Sequence, residues 1–104
     1  MVNISKLQVK DLLSISNLNK SELYNIFDIT KAFKSNSFEL ILKNKVLGLI
    51  FDKASTRTRV SFQVAMSRLG GTTIDLNPNT SQIGRGEEIK DTARILSSYC
   101  DVIA

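Results

Sequence analysis

VLGLIFDKASTRTRVSFQVAMSRLGG, residues 46–71, decides the fold. Val46 to Phe51 is a short continuous apolar run, the pattern of a strand buried on both faces. Five polar residues, Ser55 to Arg59, follow almost at once. Beyond them Phe62, Ala65, Met66 and Leu69 fall at i, i+3, i+4 and i+7, which predicts a helix with one apolar face closed by Gly70-Gly71. Hydroxyls and guanidiniums therefore crowd the turn between a core strand and a helix.

The same alternation continues outward. Residues 72–77, TTIDLN, read as a second, β-branched strand, and 78–86, PNTSQIGRG, as a polar loop carrying the only proline and two glycines. Glu87 and Glu88 suit the first turn of a further helix, on which Ile89, Ala93, Leu96 and Tyr99 form an apolar stripe. DVIA, 101–104, begins a third strand. Upstream, Asn19 is a helix cap with Glu22 three residues later as in a capping box, and Leu18 with Leu23 suits a hydrophobic staple. Leu23, Ile26, Phe27 and Phe33 keep helical spacing to about Lys34. The order is a helix and then β-α-β-α-β, which implies an α/β fold: a parallel sheet with helices on both faces. A chain that stops in the middle of an apolar strand is expected to be the N-terminal piece of a longer protein.

Composition narrows the function classes. At 104 residues the chain is one domain at most, with 42% apolar and 23% charged residues. Net charge is +4, but Lys and Arg are scattered rather than blocked, so no nucleic-acid patch is indicated; the balance suits small anionic ligands. Cys100 is the only cysteine and has no partner for an internal disulfide, which fits a reducing compartment. With no histidine, Cys100 reads as a small core residue rather than a nucleophile, and a histidine metal site is excluded within these residues. Residues 1–16 lack the apolar core of a signal peptide, and no run reaches membrane-spanning length. The expectation is a cytoplasmic protein, or the mature form in an organelle, with no membrane partner.

Strand, hydroxyls, arginine and helix together make anion-binding geometry. A helix N-terminus offers free N–H groups and the positive end of its dipole, and Ser55, Thr56 and Thr58 add hydroxyls. The Arg57 fork can take two phosphate oxygens at once. On a helix Arg57 and Arg59 stand about 200° apart, so Arg57 is assigned to the ligand and Arg59 to a carboxylate elsewhere in the protein. Local pattern leaves this evenly balanced with a plain helix cap formed by Ser55 or Thr56. By local pattern loop 78–86 reads more readily as a flexible connection than as a site. Neither G-x-x-x-x-G-K-[ST] nor a G-x-G-x-x-G after a strand is present.

FDKASTRTRVSFQVAMSRLGG, 51–71, resembles the carbamoyl-phosphate signature of the aspartate and ornithine carbamoyltransferase family, whose core is S-T-R-T-R. TSQIGRGEEIKDTARIL, 80–96, resembles the family's second segment. The likeness covers residues 5 to 104 and implies the first part of the carbamoyl-phosphate-binding domain, with the amino-acid-binding domain absent. By position it implies that Ser55, Thr56, Arg57 and Thr58 hold carbamoyl phosphate, with Arg57 and Thr58 catalytic at the phosphate and the carbonyl oxygen. Gln82, and less firmly Ser81 or Arg85, would complete the site of a neighbouring subunit in a homotrimer or a multiple of trimers. Lys53 before Ala54-Ser55, and the Gln82-Ile83-Gly84 run, resemble the ornithine branch, with Asp52 in place of the usual Glu. The implied reaction is carbamoyl transfer to L-ornithine, in arginine biosynthesis, without cofactor or metal. The family's histidine, a further arginine and the acceptor-binding residues would lie beyond residue 104. The alternatives are the aspartate branch, or a non-catalytic phosphate-binding module if the chain ends at 104.

Overall fold

The computed structural model describes residues 6–35, 39–51, 53, 55–76 and 89–104, with the backbone alone for Ile89. The chain divides into two compact units, Met1–Phe38 and Glu39–Ala104.

The first unit is built on helix α1, Lys20–Ser35, preceded by a single 3-10 turn at Ile15–Asn17. Asn19 Oδ1 accepts the Glu22 N–H at 2.8 Å while Glu22 Oε1 accepts the Asn19 N–H at 2.9 Å, so the capping box forms as the sequence suggests. Glu22 Oε2 also accepts the Gln8 N–H at 2.9 Å. These two backbone donors, Asn19 first and then Gln8, hold the Glu22 carboxyl below its ordinary value. Leu23, Ile26 and Phe33 are half-buried, whereas Phe27, expected on the same apolar stripe, is 50% exposed and meets the Tyr24 ring edge-on.

The second unit holds a three-stranded parallel sheet in the order β2-β1-β3, with β1 at Val46–Ile50, β2 at Thr72–Leu76 and β3 at Val102–Ile103. Helix α2, Thr56–Arg68, connects β1 to β2, and α3, Ile89–Tyr99, connects β2 to β3. Leu47 and Leu49 on β1 pack with Met66 of α2, and Leu42 and Phe51 close around them. Side chains alternate along a strand, so Gly48 faces the other way. There an added Cβ would stand 3.0 Å from Cys100 Sγ, just past the end of α3. Helices therefore cover both faces of β1, as the alternation of elements implies.

α2 ends in a Schellman motif. The Gly71 N–H reaches Met66 O at 2.8 Å and the Gly70 N–H reaches Ser67 O at 3.3 Å, with Gly70 at φ +92°. Only glycine adopts that backbone region without a Cβ penalty, which is why a Gly pair closes this helix.

Two apolar stripes are less buried than their spacing suggests. On α2 only Met66 is buried; Phe62 is 38% exposed and Ala65 is exposed as well. On α3 the packed row is Thr92, Leu96 and Cys100, while Ala93 and Tyr99 face outward. A helix stripe of the usual width exceeds what three short strands can cover, so its flanks stay open. Glu87 and Glu88, expected in the first turn of α3, lie outside the described residues.

Candidate functional site

α2 starts at Thr56, one residue into the hydroxyl-arginine stretch, so four of the five polar residues belong to its first turn. Ser55 occupies the N-cap position with φ −123° and ψ 59°, and its side chain makes no capping hydrogen bond. The plain-cap reading of Ser55 therefore fails on geometry. The first intrahelical bond is the Arg59 N–H to Ser55 O at 2.8 Å. The N–H groups of Thr56, Arg57 and Thr58 precede it and have no partner within the helix, as at any helix start.

Arg57, Thr58, Ser61, Phe62 and Ala65 line an open cleft of about 430 Å³ along one face of α2. They recur at i, i+1, i+4, i+5 and i+8, which on 3.6 residues per turn is one continuous strip. The structure thus brings Arg57 and Thr58 together on one wall. Thr56 is exposed and Ser55 half-buried, and neither lines the cleft. Gln82, Ser81 and Arg85 lie outside the described residues, as do Asp52 and Ala54; Lys53 is exposed. No group of three or more His, Cys, Asp or Glu residues that could hold a metal ion occurs among the described residues. No helix among them is long and apolar enough to cross a membrane.

Arg59 points away from that cleft, as helical geometry requires. Its Nε lies 3.1 Å from Asp75 Oδ2, and its guanidinium carbon sits 5.7 Å from the centre of the Phe51 ring. The Nε–H is not aligned for a hydrogen bond, so the Asp75 contact is an ion pair held by charge. Asp75 stands opposite Leu49 in the β1–β2 ladder, which places it on the face of the sheet that α2 covers. Both side chains keep about a quarter to a third of their exposure, 26% and 31%, so water screens the pair. It contributes at most about 1 kcal/mol, and the ring contact about 0.5–1 kcal/mol.

Asp75 is the carboxylate elsewhere in the protein that helix geometry calls for opposite Arg59. Its identity has no trace in the sequence, because an aspartate near the end of a strand carries no local signature. Ser61 and Phe62 were also not read as part of the site. Helical spacing from Arg57 could have found both, since Ser61 is one turn further along the same strip.

Residues 10–104 match the family model described as aspartate/ornithine carbamoyltransferase, carbamoyl-P binding domain. The chain is 64% identical over 104 residues to an ornithine carbamoyltransferase of Prochlorococcus marinus subsp. pastoris, covering 100% of this chain and 34% of the relative. It is 55% identical over 101 residues to that of Parasynechococcus marenigrum, covering 97% and 32%. Among solved structures it is similar to aspartate transcarbamoylase from Trypanosoma cruzi in complex with carbamoyl aspartate and phosphate, with a TM-score of 0.81 at 30% identity over 90% of this chain and 32% of that one. The catalytic subunit of the M. jannaschii aspartate transcarbamoylase gives a TM-score of 0.75 at 36% identity, over 91% and 33%. The chain spans about a third of the length of the relatives it matches. With a family match over nearly all its residues and a fold shared with solved members, this chain belongs to the aspartate/ornithine carbamoyltransferase family, in its carbamoyl-phosphate-binding domain.

Proposed function

We propose that this chain supplies the carbamoyl-phosphate half of an ornithine carbamoyltransferase active site, within a cytoplasmic homotrimer or multiple of trimers that serves arginine biosynthesis. The observation that carries the reading is the first turn of α2. There Arg57 and Thr58 share one cleft wall beside free helix-terminal N–H groups, and Ser55 is not consumed as a cap. On this reading residues 1–104 are the first part of the carbamoyl-phosphate domain, and acceptor recognition belongs to a second domain.

The chemistry follows from those groups. The uncharged side-chain amine of ornithine attacks the carbonyl carbon of carbamoyl phosphate, the carbon–oxygen bond to phosphate breaks, and one amine proton leaves with the phosphate side. Citrulline and inorganic phosphate result. Negative charge grows on the carbonyl oxygen and on the leaving oxygen. Ser55, Thr56 and the first amides of α2 bind the phosphate, Arg57 bridges phosphate and carbonyl, and Thr58 donates to the carbonyl oxygen. Fixed donors of this kind are typically worth about 2.7–4 kcal/mol each in a transition state.

Ornithine is favoured over aspartate as the acceptor by the Lys53 and Gln82 positions, and by relatives named ornithine carbamoyltransferase at 64% and 55% identity. The aspartate enzymes among the solved structures lie at 30–36%. The test is turnover of the natural protein that contains this chain, with each amino acid in turn. Product from ornithine alone is expected; product from aspartate alone would move the protein to the other branch. Arg57→Lys keeps the charge but loses the fork and should lower turnover by at least about two orders of magnitude. Turnover within a few-fold of wild type would remove Arg57 from the mechanism.

A further inference from the structure

Arg59 is an unusual residue to find against a sheet. Its backbone closes the first turn of α2, through the N–H bond to Ser55 O at 2.8 Å. Its side chain simultaneously touches Asp75 near the carboxyl end of β2 and the ring of Phe51 just past the end of β1. One residue therefore connects the first turn of α2 to the ends of two neighbouring strands. Phe51 is itself packed on the Leu47–Leu49–Met66 cluster, so this connection reaches the buried core of the unit.

The contact is too exposed to serve mainly as a source of stability, since water screens an ion pair with 26% and 31% exposure. Its geometry restrains something specific. A helix that meets a sheet along one stripe keeps freedom to rotate about its axis, and only one residue of the α2 stripe, Met66, is buried. Met66 lies near the far end of the helix. Midway along, Phe62 meets the Phe51 ring at 6.4 Å between centres; in the first turn the contact with the strands is made by Arg59, and rotation there would swing Arg57 and Thr58 around with the same turn.

We propose that the Asp75–Arg59–Phe51 contact positions Arg57, making Asp75 and Arg59 positioning residues for the carbamoyl-phosphate site rather than contributors to fold stability alone. The inference rests on the reading of Arg57 as the ligand arginine. The contact fixes the rotation of the first turn of α2, and the rotation fixes where the guanidinium fork of Arg57 points. A displacement of the order of 1 Å at a binding group costs up to about a hundredfold in rate, so a small rotation is enough to matter.

The test is a double-mutant cycle in the natural protein that contains this chain, with carbamoyl phosphate and ornithine each varied at saturation of the other. Asp75→Asn preserves shape and removes the charge. It should lower kcat/KM for carbamoyl phosphate about tenfold while leaving the ornithine KM within about twofold. In the Arg57→Lys background the same Asp75→Asn change should cost less than about twofold, because its effect runs through Arg57. A circular-dichroism spectrum at the assay temperature checks that each variant is folded. Should Asp75→Asn not fold, Arg59→Lys keeps the charge but loses the planar guanidinium set on the Phe51 ring, leaves the Phe51–Phe62 contact in place, and the same non-additivity is expected. Asp75→Asn activity within about twofold of wild type, or a full multiplicative loss in both backgrounds, overturns the proposal. Failure of the underlying reading looks different: Arg57→Lys alone would then leave activity unchanged.

Discussion

Gly48 offers a sharp test of the two-faced packing, because it lies in the central strand with a specific neighbour on the α3 side. A Cβ built on it stands 3.0 Å from Cys100 Sγ, and 3.8 Å from both Cys100 Cβ and Ile103 Cγ1. The two 3.8 Å contacts are ordinary van der Waals separations; the sulfur contact is short of the optimum by about half an ångström or more. Gly48→Ala must therefore push the Cys100 side chain aside, a strain of about 1–3 kcal/mol for an overpacked interior. Against this, alanine loses less chain entropy than glycine in a strand, a gain of about 0.5–1 kcal/mol. The net expectation is a loss anywhere between zero and about 2.5 kcal/mol. Cys100→Ala removes the obstructing sulfur, so the Gly48→Ala/Cys100→Ala double variant should be more stable than the sum of the single changes by about 1 kcal/mol. Urea unfolding of wild type, both single variants and the double variant supplies the four free energies. A clearly stabilising Gly48→Ala, or single changes that simply add, would show that Cys100 does not press on β1.

Two further outcomes follow from helix ends. Gly70→Ala places a side chain at φ +92°, with its Cβ 3.0 Å from that of Leu40, and should destabilise by at least about 1–2 kcal/mol in urea unfolding, with Gly70→Asn costing less. Glu22 has its carboxyl held below the ordinary value of 4.5 by the Asn19 and Gln8 N–H groups, so its stabilisation of the α1 start is complete above that pH. It is lost as the pH falls through the lower native value, and Glu22→Gln should flatten the acid limb of the helical circular-dichroism signal; an unchanged acid limb would remove this link.

What was legible in the sequence divides along physical lines. Periodicity identified the strands and helices because each element carries its own pattern, and the alternation of the two implied a parallel sheet. The strand order β2-β1-β3 is not contained in that alternation, since each crossover can step to either side of β1. That the two arginines face apart followed from helix geometry alone, because residues two apart on a helix point different ways. The identity of the Arg59 partner depended on the register that sets Asp75 opposite Leu49, a long-range fact with no local trace. Phe27, Phe62, Ala65, Ala93 and Tyr99 hold stripe positions yet stay exposed. Spacing says which residues share a face but not how much sheet is available to cover it. Gly48 has no local signal within an apolar run, and its reason emerges only when Cys100 is brought against it.

Charge balance says what else the proposed site requires. Carbamoyl phosphate brings about two negative charges, as a phosphate group does near neutral pH. In the cleft Arg57 supplies one positive charge, and the start of α2 adds the equivalent of about half a charge. The remainder, together with donors for the carbonyl oxygen beyond Thr58, has to come from other groups. Loop 78–86 carries Ser81, Gln82 and Arg85, and under the proposed trimer it reaches a neighbouring subunit's cleft. Gln82→Ala should then weaken carbamoyl-phosphate binding by roughly fivefold to a hundredfold, the range of one hydrogen bond of about 1–3 kcal/mol to a charged group. It should do so without changing the unfolding profile of the protein, because the residue serves another subunit's ligand rather than its own fold. Isothermal titration of the natural assembly with carbamoyl phosphate measures the affinity directly. Unchanged affinity would make the loop a connector and leave the missing charge to be found elsewhere.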